Sequence, residues 1–413
     1  MLKVFFSNTS KITNLLITTS FFLAFSTNGW VEEVFGFNLV YFAILLFLII
    51  TISNFSPILK YINLLISNNI RNEEFWLLTL ALSYLLLNHG VVIESLSFIG
   101  LFILINSIIL FGININIRYL FLGCLIASII SLSSIFIGFV ESILYQSNFL
   151  STPLPEGYPN PILGILNELF SFGWMYQLSG IHHSINYAAY MMIGGIFLTN
   201  LILKKSWPSL ILIFLMFLAL ILTNAKIGLL FTALFLVSFL KGKLSLISII
   251  FISLFYILLC HLTIAHSSTS VVDNKYFVIK LFEVFDFHIY LSLFAWLKSQ
   301  ALIHLIEMSF LTQTFESFYL YSGYDPHSLF SSILFFATPL GFIAFMVFFT
   351  KIFSLHINTF HKGDRLYNLV FIVFLIECIV WDSFDSPLFW LIILTVRNKG
   401  ILKDGLRINQ NSI

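Results

Sequence analysis

Charge is what this sequence has least of. Only 9% of its 413 residues are Asp, Glu, Lys or Arg, against roughly 25% in an ordinary soluble domain. So few ionic groups cannot cover a water-facing globule of this length. The net charge of +1 argues against a nucleic-acid partner, because neutralising phosphates takes clustered Lys and Arg. Cysteine is nearly absent. Cys124, Cys260 and Cys378 each fall inside an apolar run, with no zinc spacing and no disulfide framework. No GxSxG, HExxH, CxxC or GxxxxGK string occurs, so the nucleophile elbow, the zincin helix, the redox dithiol and the P-loop are missing. No internal repeat is visible either, which weakens a transporter reading, since many transporter folds are built from repeated halves.

Apolar residues fill the space. They make up 59% of the chain and come in long blocks, and a bilayer-spanning helix takes ~20 of them in succession. The 49 phenylalanines fit lipid-facing surfaces better than any aromatic site. The expected architecture is all-α: one polytopic transmembrane domain over residues 1–413 with about twelve spans. The pattern puts these near 12–28, 36–53, 75–90, 95–113, 119–139, 186–203, 208–223, 227–240, 244–264, 328–350, 367–381 and 386–396. The first could pass for a signal peptide, but the chain runs straight into further spans, so an uncleaved helix is expected.

Basic residues mark the cytoplasmic side of such a protein. A cytoplasmic N-terminus puts all of the 20 lysines and arginines on that side except Lys226, Lys275, Lys280 and Lys298. An even number of spans then returns the C-terminus to the cytoplasm. Two outer segments are too long for simple connectors: 141–185, with four prolines (Pro153, Pro155, Pro159, Pro161), and the larger 265–327, between the ninth and tenth spans. Long ordered loops are usually functional.

Candidate site residues are the polar groups that break this pattern. Lys226 lies in the turn Leu222-Thr223-Asn224-Ala225-Lys226 at the outer mouth of two spans. A snorkelling anchor is the ordinary explanation, but lysine also binds phosphate as a point charge. Lys275, Lys280 and Lys298 stand in the large loop, where snorkelling is again the ordinary role. His327, in Tyr324-Asp325-Pro326-His327-Ser328, closes that loop. It is either a helix-start polar residue or a proton acceptor near neutral pH, with Asp325 placed to orient it. His182, His183 and Asn186 cluster at the outer start of the sixth span; adjacent histidines point apart on a helix, so sugar or phosphate contacts are favoured over a metal. Asp382 and Asp385, beside Trp381 in the last outer turn, suit carbohydrate or simply solvent. Glu377, inside a span, should face the protein interior.

Four stretches carry a resemblance. They are Ser179–Tyr190 (SGIHHSINYAAY), Leu222–Leu230 (LTNAKIGLL), Asp325–Gly341 (DPHSLFSSILFFATPLG) and Trp381–Val396 (WDSFDSPLFWLIILTV). In this order and topology they resemble the bacterial O-antigen polymerase and O-antigen ligase superfamily, mostly over the second half of the chain. The resemblance implies a GT-C-like fold in the bacterial inner membrane. It implies an oligosaccharide donor on undecaprenyl diphosphate and transfer to an acceptor hydroxyl at the periplasmic face, with neither cofactor nor metal. Membrane lipid and a chain-length regulator protein are the partners that go with it. Lys226 stands where the family's turn arginine would be, and His327 where its loop-closing catalytic histidine would be. A second family arginine usually precedes an aromatic in the large loop. Alignment on Trp296 puts Ser292 there, and the loop has no arginine, so Lys280 or Lys298 would take over diphosphate binding. Lysine also lacks the bidentate fork of arginine. These departures favour a polymerase of lipid-linked repeat units. The alternative is a ligase moving finished glycan to lipid A core, and a lipid-linked glycan flippase is an alternative of another class.

Overall fold

The computed structural model describes scattered positions from 15 to 36, then 73–87, 117–144, 152–153, 176–182, 184–203, 206–223, 225–240, 243–268, positions 329, 330 and 333, 338–359, 365–380 and most of 389–396. Eight helices are defined among them: α1 (Glu73–Leu87), α2 (Ile117–Leu144), α3 (Ile185–Ile202), α4 (Trp207–Leu222), α5 (Lys226–Val237), α6 (Lys243–Ser268), α7 (Thr338–Thr359) and α8 (Arg365–Val380). The one sheet among the described residues is a two-residue antiparallel pair, β1 (Thr152–Pro153) with β2 (Tyr176–Gln177). The expectation of an all-α protein is met. Of the twelve expected spans, those near 36–53 and 95–113 lie outside the described residues.

Three helical stretches among the described residues are long and apolar enough to cross a membrane: Phe121–Glu141, Ile185–Ile202 and Leu340–Ile357. Within the expected span at 328–350, Leu329, Phe330 and Ile333 are helical, and α7 begins at Thr338. Pro339 explains the start: it sits in the first turn, where a missing amide and a fixed φ cost nothing. The expected span at 227–240 is shorter than its apolar run. α5 has 12 residues, roughly 18 Å at 1.5 Å per residue, well short of a ~30 Å hydrocarbon core. α2, by contrast, has 28 residues, roughly 42 Å. It continues to Leu144 and α6 to Ser268, a few residues into the stretches read from sequence as outer loops.

α3 is the hub. It packs on α2, α4, α5 and α8, and every residue from Tyr187 to Thr199 is buried. Two adjacent glycines make this possible. A Cβ on Gly195 would come within 2.8 Å of both Met216 on α4 and Ser128 Cβ on α2, and one on Gly194 within 3.1 Å of Leu391. A second block pairs α1 with α7. Between α7 and α8 runs an aromatic ladder, Phe345–Phe349–Phe374–Phe371, with centroid spacings of 5.6, 6.2 and 5.6 Å. Phenylalanine is therefore split between two environments: Phe345, Phe348 and Phe374 are fully buried, while Phe214 on α4 is 67% exposed. The exposed side of α4 is wholly apolar, from Leu210 and Ile211 through Phe214 to Leu218 and Ile221. In water such a face would be a liability; against acyl chains it is the expected surface.

Candidate functional site

Tight connections fix the direction of the central helices. α3 and α4 pack on each other with only four residues between them, and α4 and α5 with only three. The starts of α3 and α5 therefore lie at one end of the bundle. The other end is marked by Arg365, the first residue of α8, whose Nη1 donates to the Ser238 carbonyl just past α5 at 3.5 Å. α8 therefore ends where α3 and α5 begin. Glu377, in its last turn and 1% exposed, is interior as its charge requires, and it shares the end that holds Lys226 and His182.

Lys226 is half-buried at the first position of α5. The residue before it, Ala225, is the N-cap and has no side chain to cap the helix. Thr223 stabilises the turn instead, accepting from the Ala225 amide at 3.4 Å and donating to the Leu220 carbonyl at 2.8 Å. A cation at a helix N-terminus opposes the helix dipole, so local helix energetics do not account for Lys226.

His182 is 2% exposed. Its Nε2 is 2.8 Å from Ser131 Oγ on α2. Ser131 donates its own proton to the Ala127 carbonyl at 2.8 Å, an arrangement that favours the tautomer with the proton on Nε2. Three residues along, Ser134 donates to the Ser131 carbonyl at 2.8 Å and accepts from the Ile181 amide at 3.2 Å. Gly180 makes this approach possible. Its φ is +60°, and a Cβ there would run into Ser134 Oγ and the Ile135 amide. The segment 178–182 is thereby held against α2 before the chain turns into α3, where Ser184 caps the helix by accepting from the Asn186 amide at 3.2 Å. Asn186 itself is half-buried. The β1–β2 pair, Thr152 with Gln177 and Pro153 with Tyr176, closes the excursion between them.

The structure thus gathers His182, Asn186, Lys226 and Glu377 at one end. His183, Lys275, Lys280, Lys298, Asp325, His327, Asp382 and Asp385 lie outside the described residues. Sequence reasoning overlooked Ser131 and Ser134. Their signal was present: Ser128, Ser131 and Ser134 recur every three residues in an otherwise apolar span, a polar stripe facing a neighbour. Among the described residues, no three His, Cys, Asp or Glu side chains converge as a metal site would require. No protein-family model, curated protein or solved structure matches this chain.

Proposed function

We propose that the protein is a membrane-embedded glycosyltransferase that polymerises undecaprenyl-diphosphate-linked repeat units for O-antigen or a related surface polysaccharide. In this reading it is a multi-pass protein of about twelve spans in the bacterial inner membrane, with both termini cytoplasmic and the reaction at the periplasmic face. The observation that carries the reading is Lys226: half-buried, at the unfavourable end of a short helix without a side-chain cap. A cation held there is placed to meet an anionic ligand, and a lipid-linked diphosphate reaches such a site from the bilayer. The acceptor sugar hydroxyl attacks the anomeric carbon of the donor. The anomeric C–O bond to the diphosphate breaks, the hydroxyl proton passes to His327, which Asp325 orients, and undecaprenyl diphosphate leaves. Charge building on the leaving group is stabilised by Lys226, with Lys280 or Lys298 as the loop's contribution. His183, Asn186, Asp382 and Asp385 are the proposed glycan contacts, while His182, buried against Ser131, positions that segment rather than touching sugar.

The test is the banding pattern of lipopolysaccharide from strains carrying Lys226→Ala or His327→Ala at normal protein level. Loss of long chains with single-repeat bands retained is expected from both. Wild-type chain length in both variants would remove these residues from the reaction. Bare core with lipid-linked polymer retained would instead identify a ligase. Glu377, buried within a span, favours a second reading as a translocator of lipid-linked glycan. In that case a deletion strain would keep its repeat units on the cytoplasmic face.

A further inference from the structure

We propose that the end of the bundle opposite Lys226 binds the headgroup of an anionic phospholipid, at the corner where α5, α6 and α8 meet. The three helices pack pairwise on one another. α5 ends at Val237, α6 begins at Lys243 and α8 begins at Arg365. The hydrogen bond from Arg365 to the Ser238 carbonyl, at 3.5 Å, ties the corner together. Arg365 and Lys243 are both exposed, and only five residues separate Val237 from Lys243. In the sequence Lys241 stands two residues before Lys243 and Lys362 three before Arg365, with Asp364 the one acidic residue beside them; these three lie outside the described residues.

The surface running away from the two cations selects a lipid over a soluble anion. On α6, Leu244, Ile247, Phe251 and Leu254 follow the spacing of one helical face. All four are exposed, Leu244 at 58% and Phe251 at 68%. An acyl chain along this stripe and a phosphate at Lys243 and Arg365 would be satisfied together. Inorganic phosphate would use only the cations, and a zwitterionic lipid would bring no net charge to meet them. A Lys or Arg near an anionic membrane surface contributes about 1 kcal/mol, roughly fivefold in association. This site is independent of the glycosyl-transfer reading.

The test uses the full chain in nanodiscs of equimolar phosphatidylglycerol and phosphatidylcholine with matched acyl chains. Native mass spectrometry reads the ratio of the two lipids retained on the protein. The wild type should favour phosphatidylglycerol by roughly five- to twentyfold. Lys243→Gln with Arg365→Gln should remove at least fivefold of that preference, and Lys243→Arg with Arg365→Lys should keep it. If the double glutamine variant fails to fold, Lys243→Gln alone, which leaves the Arg365–Ser238 bond intact, carries the same test. An unchanged ratio in the glutamine variants would overturn the proposal. So would loss of the preference in millimolar inorganic phosphate, which would mark the corner as a site for the free ion.

Discussion

Gly180 and Gly36 form a matched pair. Both are in the left-handed region, at φ +60° and +70°. An alanine at either carries the backbone strain of that region, roughly 1–2 kcal/mol, partly offset by about 0.4–1 kcal/mol from a stiffer unfolded chain. Their surroundings differ. A Cβ on Gly36 meets nothing within 4 Å, whereas one on Gly180 is blocked by Ser134 Oγ, with the Ile135 amide at 3.0 Å and the Ser134 carbonyl carbon at 3.1 Å. Backbone atoms of a helix cannot step aside, so segment 178–182 must lift. Overpacking of this kind costs about 1–3 kcal/mol, and losing the Ile181–Ser134 hydrogen bond adds about 1 kcal/mol. Gly36→Ala should therefore destabilise by about 0.5–1 kcal/mol and Gly180→Ala by about 2.5–5 kcal/mol. The assay is reversible unfolding in mixed micelles titrated with a denaturing detergent. The difference between the two variants isolates the steric contribution from the strain they share. Equal costs would show that segment 178–182 is not seated against α2, and the placement of His182 would fall with it.

Gly195→Val should destabilise by about 1–3 kcal/mol in the same assay, because Met216 can swing aside but Ser128 Cβ, 2.8 Å away, cannot; a neutral result would mean α2 and α4 do not converge on α3. His182→Phe keeps a ring in place but withdraws the partner of Ser131, an expected loss of about 1–3 kcal/mol that Ser131→Ala should largely suppress in the double variant. Lys226→Arg should retain long-chain glycan, since the charge stays and a bidentate fork is gained. Lys226→Gln should abolish it, and indifference of chain length to the Gln variant would separate Lys226 from any anionic substrate.

The material of this protein was legible before any fold was known. Composition demanded helices in an apolar medium, because backbone polar groups in hydrocarbon must be satisfied within each segment. For α1, α3, α4 and α8, which have polar or proline residues at their ends, the expected bounds fall close to the observed ones. Glu377 was legible as interior for the same reason, since a carboxylate facing lipid is prohibitively unfavourable. Hydropathy says nothing about which faces meet. It could not tell that α5 stops at Val237 while its apolar run goes on, nor distinguish the phenylalanines of the α7–α8 ladder from those facing lipid, since both environments are equally apolar. The pairing of His182 with Ser131 joins residues 51 positions apart, and it exists only because Gly180 has no side chain where Ser134 approaches. Such contacts depend on the shape of two backbones brought together, and that is decided in the tertiary structure alone.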